Sequence, residues 1–235
     1  MNVELAARFS KVREKISASA KKAGRDPSEI KLISVSKTHP VETIRDAINA
    51  GINIFGENKV QEGIDKITSI GSENIEWHLI GHLQKNKARK AVQNFDVIHT
   101  LDSVSLAKRL ERICGEENRE DLSVLVQVDL AQEETKFGVA EEKLKELTRY
   151  LSSCKYLKFN GLMIIPPFFS DVEKVRPYFR KLRGLRDRLV VEKSFANGFG
   201  ELSMGMSHDF ETAVEEGATM VRVGTAIFGT RQTEI

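Results

Sequence analysis

"KLISVSKTHPVETIRDAINAGINIFGEN", residues 31–58, decides the fold. It opens on an apolar, β-rich run (Leu32, Ile33, Val35) and turns at Thr-His-Pro. It continues with apolar residues every three or four positions in "VETIRDAINA", then returns to a second β-rich run, "INIFGE" at 52–57. Two strands joined by a single helix pair in parallel, because the helix is the crossover that carries the chain back. The same pattern repeats along the chain. Further strand-like runs are "EWHLIG" (76–81), "DVIHTL" (96–101), "SVLVQVD" (123–129), "KFNGLMII" (158–165), "ELSMGM" (201–206) and "MVRVGTAIF" (220–228). Helix-like stretches such as "SLAKRLERIC", "EEKLKELTRYLSSC" and "VEKVRPYFRKLRGLRDRL" lie between them.

No linker, repeat or low-complexity segment interrupts the alternation, so residues 1–235 read as one domain. Eight such units in this length predict an α/β fold, a (β/α)8 TIM barrel. A doubly wound open sheet is the competitor. Closure is favoured by the eight runs and by the lack of a GxGxxG turn after the first. Ahead of the first run, Leu5, Phe9, Val12 and Ile16 fall at helical spacing, which predicts an extra N-terminal helix ending near Gly24.

Composition sets the broad class. The chain is 40% hydrophobic and 30% charged, as in ordinary water-soluble domains. Lys+Arg 36 against Asp+Glu 34 gives +2, without the basic excess of a dedicated nucleic-acid binder. The run "QKNKARK", with Lys85, Lys87, Arg89 and Lys90, reads as a solvated helix face. Cys114 and Cys154 are far apart and form neither a disulfide framework nor a metal spacing, as expected of reduced thiols in a cytoplasmic protein. The N-terminus has no h-region of a signal peptide, and no apolar run approaches a membrane span.

In a barrel the reactive groups sit at the carboxyl ends of the strands, and phosphates bind near the last two. Lys37 ends the first run and shares parity with Ile33 and Val35. It is either a lysine snorkelling from a strand terminus or an amine placed to attack an aldehyde. Gly56, Glu57 and Asn58 end the second run, and Asn58 suits either a ligand hydroxyl or a helix N-cap. His78 and His82 in the third run would stand about 13 Å apart on a strand, too far to share a metal ion. His82 is left to line the mouth, and Trp77 to packing. Lys136 is either a second amine over the mouth or an exposed loop lysine.

The last two runs carry the strongest signal. Ser203, Gly205 and Ser207 cluster at one strand end, and Arg222, Gly224 and Thr225 at the other. Glycine permits close backbone approach to an anion, and backbone N–H groups with hydroxyls bind phosphate. Ser207 also reads as the N-cap of "HDFETAVEEG". Val221 and Val223 share one face, so Arg222 shares the other with Gly224 and, if the valines meet the outer helices, points into the barrel, where its partner is either a carboxylate or a ligand acceptor. A lysine amine, a phosphate cradle and a buried arginine together suit pyridoxal phosphate (PLP), with its aldehyde, phosphate and ring nitrogen.

The motifs "VSKTHP", "FGENKVQE", "WHLIGHLQKNK", "TKFG", "LSMGMSHDFE" and "VRVGTAIFG" resemble the pyridoxal phosphate homeostasis protein family, barrels similar to the N-terminal domain of alanine racemase. They run from residue 31 to 229. The resemblance implies a Schiff-base lysine at Lys37 and phosphate contacts at Ser203, Gly224 and Thr225, with Met204 nearby. It also implies a ring-nitrogen arginine at Arg222 and a ring-proximal asparagine at Asn58. It implies a cytoplasmic, monomeric protein that holds PLP as an internal aldimine, serves PLP and amino-acid homeostasis, and passes PLP to apo-enzymes. No catalytic residue or metal is expected. The alternative is a PLP enzyme such as a weak amino-acid racemase. Racemases of this fold class add a tyrosine from a further domain of the partner subunit. Here only "TRQTEI" follows the eighth run, so no such domain is expected. An arginine stays protonated and leaves the ring nitrogen neutral, which weakens the electron sink that carbanion chemistry needs.

Overall fold

The computed structural model describes residues 2–131 and 137–229. The chain runs α1 (Val3–Lys22), β1 (Lys31–Val35), α2 (Val41–Asn49), β2 (Ile54–Glu57), α3 (Val60–Ile70), β3 (Glu76–Leu79), α4 (Ala88–Asn94) and β4 (Val97–Leu101). It continues through α5 (Val104–Glu116), β5 (Leu122–Asp129), β6 (Val139–Ala140), α6 (Glu141–Leu151) and β7 (Leu157–Met163). It ends in α7 (Arg176–Val191), β8 (Glu201–Ser203), α8 (Phe210–Glu215), β9 (Met220–Val223) and α9 (Thr225–Phe228).

All pairings are parallel, in the order β4-β3-β2-β1-β9-β8-β7-β5, and β5 pairs back onto β4. The eight strands therefore close into the expected (β/α)8 barrel, and the open-sheet alternative falls. The two-residue β6 adds to β5 outside that ring and has no counterpart in the sequence reading.

Strand parity sorts the side chains. Ile33, Val97, Leu125, Met163 and Met220, from five staves, form a small core of their own. Their alternates, among them Ile98, Val124, Val126, Leu162, Val221 and Val223, belong to the larger core shared with the helices. Successive strand residues point to opposite faces, so the first set fills the barrel and the second lies under the helical ring. By the same alternation Glu76, His78, His99, Ser203 and Arg222 point inward. An inner layer this polar departs from the Val, Ile and Leu that dominate such interiors.

α1 carries Leu5, Val12 and Ile16 on its buried face, with Phe9 partly covered, as its spacing predicts. It caps the ring beside the last two units. Arg8 Nε donates to Ile227 O at 2.7 Å, and Lys15 and Lys22 each pair with a carboxylate of α8 or its end, Glu211 and Glu215, at 2.6 Å. Gly24, with φ +68°, ends it.

Several boundaries differ from expectation, the following two among them. The eighth run reads as strand through Phe228, but β9 stops at Val223 and "TAIF" is helical. Gly224, at φ −112° and ψ −80°, breaks the strand, and its carbonyl accepts from the Ile227 and Phe228 amides. "QKNKARK" starts as a 3-10 turn over Lys85–Lys87 before α4, and Arg89 ion-pairs with Glu116 and Glu117. Among the described residues no helix is long and apolar enough to cross a membrane.

Candidate functional site

β1 delivers Lys37 to the carboxyl end of the barrel, half-buried two residues past the strand. The chain then takes a left-handed step at Thr38, φ +67°, an unfavourable conformation for a β-branched residue. That step is held from α3. Glu62 accepts from the Thr38 amide, and Lys66 Nζ donates to Ser36 O at 2.8 Å, so the backbone is gripped on both sides of Lys37. Lys66 is itself buried against Glu57, at 2.7 Å, and Ser36 Oγ donates to the same Glu57 oxygen at 2.6 Å. Burial raises the Glu57 pKa, and Lys66 works against that rise.

The sequence places Glu57 at the mouth. In the fold it is fully buried and turned outward toward α3, because it shares strand parity with Phe55 of the outer core. Asn58 does stand at the mouth, exposed, and it caps no helix, since the residue before α3 is Lys59. Gly81 is forced by Asn58. A Cβ there would meet Asn58 O at 2.0 Å, so the ends of β2 and β3 lie backbone to backbone. His82 sits at the rim, stacked on Phe137 with ring centroids 3.7 Å apart and its Nδ1 3.5 Å from Asp102. His78 is fully buried inside the barrel, so the two histidines of "WHLIGH" serve separate places.

Arg222 points into the barrel beneath the mouth and is 4% exposed. Its Nη1 donates to Ser203 Oγ at 2.7 Å and its Nη2 to Ile164 O at 2.9 Å. Burial lowers its pKa to about 10, with Asp209 opposing the drop, so it remains cationic at neutral pH. Arginine carries five N–H donors. The two committed to Ser203 and Ile164 fix the plane of the fork, and the rest can meet a ligand acceptor.

Beside Arg222 lies a cradle of glycine, hydroxyl and amide. Ser207 Oγ accepts from the Gly224 amide at 3.2 Å and lies 3.5 Å from that of Ala226, at the start of α9. Thr225 is exposed next to it. A Cβ on Gly224 would approach Val35 O to 3.2 Å, and Gly205, at φ +93°, would press one to 2.6 Å from Ala213 Cβ. Gly205 needs glycine for the turn to close over the strand ends, and Gly224 lets the chain pass close to β1.

Three expectations need correction here. The Ser203 hydroxyl, expected beside the phosphate, is fully buried and engaged by Arg222 and His99, so in this structure it serves the arginine. Met204 lies in the outer core, and its amide is spent on Met220 O, so it offers the site neither side chain nor donor. Ser207 does not cap α8, whose preceding residue is Asp209, because its hydroxyl is turned to α9 instead. Lys136 lies outside the described residues. The thiols of Cys114 and Cys154 are pushed up by burial to about 11 and about 12, which leaves both inert.

Sequence reasoning missed His99. Its imidazole lies 2.9 Å from Ser203 Oγ and 2.7 Å from His78. A histidine sharing parity with Val97 inside a strand-like run was the available signal. The lysine, the arginine and the amide cradle thus converge at one end of the barrel. They offer an amine, a cation for an aromatic nitrogen or oxygen, and a glycine turn with the Ser207 and Thr225 hydroxyls for an anion, and these groups fit PLP.

Comparisons with known proteins show the family to which the chain belongs. The model of the family "Alanine racemase, N-terminal domain" matches residues 9–232. The pyridoxal phosphate homeostasis protein of Aquifex aeolicus is 46% identical over 225 residues, covering 96% of this chain and 97% of that one. Its namesake from Escherichia coli K12 is 41% identical over 234 residues, covering 97% of each. The solved structure of PipY of Synechococcus elongatus with PLP bound superposes with a TM-score of 0.82 at 39% identity, covering 96% of this chain and all of that one.

Proposed function

Because the chain belongs to the alanine racemase N-terminal domain family, with pyridoxal phosphate homeostasis proteins as its full-length relatives, we propose that it is a PLP-holding protein of PLP homeostasis, not a turnover enzyme. PLP supplies an aldehyde that condenses with a lysine amine. Lys37 is the amine at the strand ends, held by the grip of Lys66 and Glu62 on its two neighbours. Arg222 meets the ring nitrogen, and the Gly224–Thr225 turn with Ser207 takes the phosphate. Asn58 borders the ring from the rim.

The buried Arg222 carries the reading. Its fork is already fixed by Ser203 and Ile164 at the end of the barrel where Lys37 emerges, so a planar acceptor finds a donor without reorganisation. Arg222 also supports binding in place of turnover. A guanidinium that keeps its proton leaves the ring nitrogen unprotonated, which weakens PLP as an electron sink. The tyrosine that would serve as a second acid–base group has no counterpart at the mouth among the described residues. Tyr150 and Tyr178 lie on α6 and α7, and Tyr156 precedes β7. The proposal extends to a monomer that acts in the cytoplasm and passes PLP to apo-enzymes.

The test is the visible spectrum of the purified protein with PLP. A visible band that disappears in Lys37→Ala, with no amino-acid racemisation by chiral chromatography, is the expected result. A protein that stays colourless with PLP removes the binding reading. Lys37-dependent racemisation replaces it with an enzyme.

A further inference from the structure

A chain of hydrogen-bonding groups crosses the barrel from Arg222 to its floor. Arg222 Nη1 lies 2.7 Å from Ser203 Oγ, and Ser203 Oγ lies 2.9 Å from His99 Nδ1. His99 Nε2 lies 2.7 Å from His78 Nδ1. His78 Nε2 is 3.0 Å from Glu76 Oε1, within ion-pair reach though off the hydrogen-bond axis. Glu76 is held by Lys31 at 2.9 Å, and both line a cavity of about 590 Å³ at the amino-terminal ends of the strands. His78, His99 and Ser203 are fully buried.

Donor accounting gives this chain one direction. An arginine only donates and a carboxylate only accepts. Ser203 Oγ accepts from Arg222, so its own proton goes to His99 Nδ1. His99 then carries its proton on Nε2 and donates to His78 Nδ1. His78 in turn carries its proton on Nε2, on the side where the Glu76 carboxylate lies 3.0 Å away without a formed hydrogen bond. The reverse order would turn a bare His78 nitrogen toward that carboxylate, lone pair against charge. It would also leave the Ser203 proton without an acceptor on the chain. Both histidines are neutral in the favoured order, the form that burial favours at each, with the Arg222 charge adding to it at His99.

We propose that His99 and His78 are positioning residues. The one-way chain, its direction set by the Glu76 charge at the floor, orients Ser203, and through it the Arg222 guanidinium that would meet the PLP ring. The inference rests on the PLP reading for its consequence, but the chain itself exists in the PLP-free protein. Removing the imidazole of His99 leaves the Ser203 proton without its acceptor, and the hydroxyl then turns to other partners and releases Arg222. Glutamine restores both contacts, since its amide oxygen and nitrogen imitate Nδ1 and Nε2–H.

The experiment compares wild type, His99→Leu and His99→Gln by PLP titration, by the position of the visible band and by thermal melting. Nitrogen NMR of labelled histidines in the PLP-free wild type reads the tautomers directly. The expected result is bare Nδ1 and protonated Nε2 on both buried histidines. His99→Leu then binds PLP roughly tenfold more weakly, the worth of about one hydrogen bond, with a displaced band, and His99→Gln recovers most of both. Wild-type affinity and band in His99→Leu, a glutamine no better than leucine, or Nδ1–H tautomers overturn the proposal. If the wild type itself fails to bind PLP, the cofactor reading falls, and the NMR result alone decides whether the chain runs as assigned.

Discussion

Lys66, on α3, donates from Nζ to the carbonyl of Ser36 at 2.8 Å, one residue before Lys37. A buried ammonium thus ties the carboxyl end of β1 to the helix that follows β2. Its charge is balanced by Glu57 and Glu62, both at 2.7 Å.

Breaking this cluster on one side is expected to be costly. Lys66→Met leaves the fully buried Glu57 carboxylate without its cation, a loss of about 3–5 kcal/mol. Urea unfolding measures it. The double variant Lys66→Met, Glu57→Leu is expected to regain most of the loss, because no buried charge is then left alone. A double variant as unstable as the single one contradicts the ion-pair account.

Two glycines are expected to respond in opposite ways to alanine. Gly81→Ala places a Cβ against the Asn58 backbone, which cannot yield like a side chain, and destabilises by roughly 1–3 kcal/mol. Gly184→Ala, on α7 with nothing within 4 Å of the new Cβ, stabilises by about 0.5–1 kcal/mol. Parallel denaturation curves check both signs.

Acid sensitivity is expected to begin near neutrality. Burial depresses the pKa of both His78 and His99 below the usual 6.5. Glu76, with Asp96 behind it, opposes the drop at His78, and Lys31 adds to it. Below pH 6.5 the unfolded chain takes up protons that the folded barrel refuses, so stability falls as pH falls. The slope is about 1.4 kcal/mol per pH unit for each histidine until its folded pKa is reached. Denaturation midpoints between pH 7.5 and about 5 trace it, and His99→Gln is expected to halve the slope. Glu76, held down to about 2 by its close contact with His78 and by Lys31, adds a further loss below about pH 4.5.

Arg222→Lys is expected to keep the charge and lose the fork. A lysine cannot hold Ser203 and Ile164 while facing a planar acceptor, so PLP affinity drops by at least about tenfold. Titration followed at the visible band measures it. An unchanged affinity argues against contact between Arg222 and the ring.

The period of the sequence carried the barrel. Alternating runs and crossover helices leave few ways to pair eight parallel strands, and the first unit, residues 31–58, already sets the repeat. The same logic placed Lys37 and Gly224 at strand ends and turned Arg222 inward, because strand parity is a local property that two valines suffice to reveal. Local pattern could not say what each inward or terminal side chain touches. Ser203 reads as a phosphate ligand from its neighbours in sequence, yet its hydroxyl belongs to Arg222 and to His99, 104 residues earlier. Ser207 reads as a cap for the helix that follows it, yet it faces amides 17 and 19 residues on. Glu57 and Lys66 became partners only when α3 folded back over β2. Closure of the ring decides these contacts, since it brings β4, β8 and β9 across one interior where His99, Ser203 and Arg222 are buried. Buried groups must then find one another.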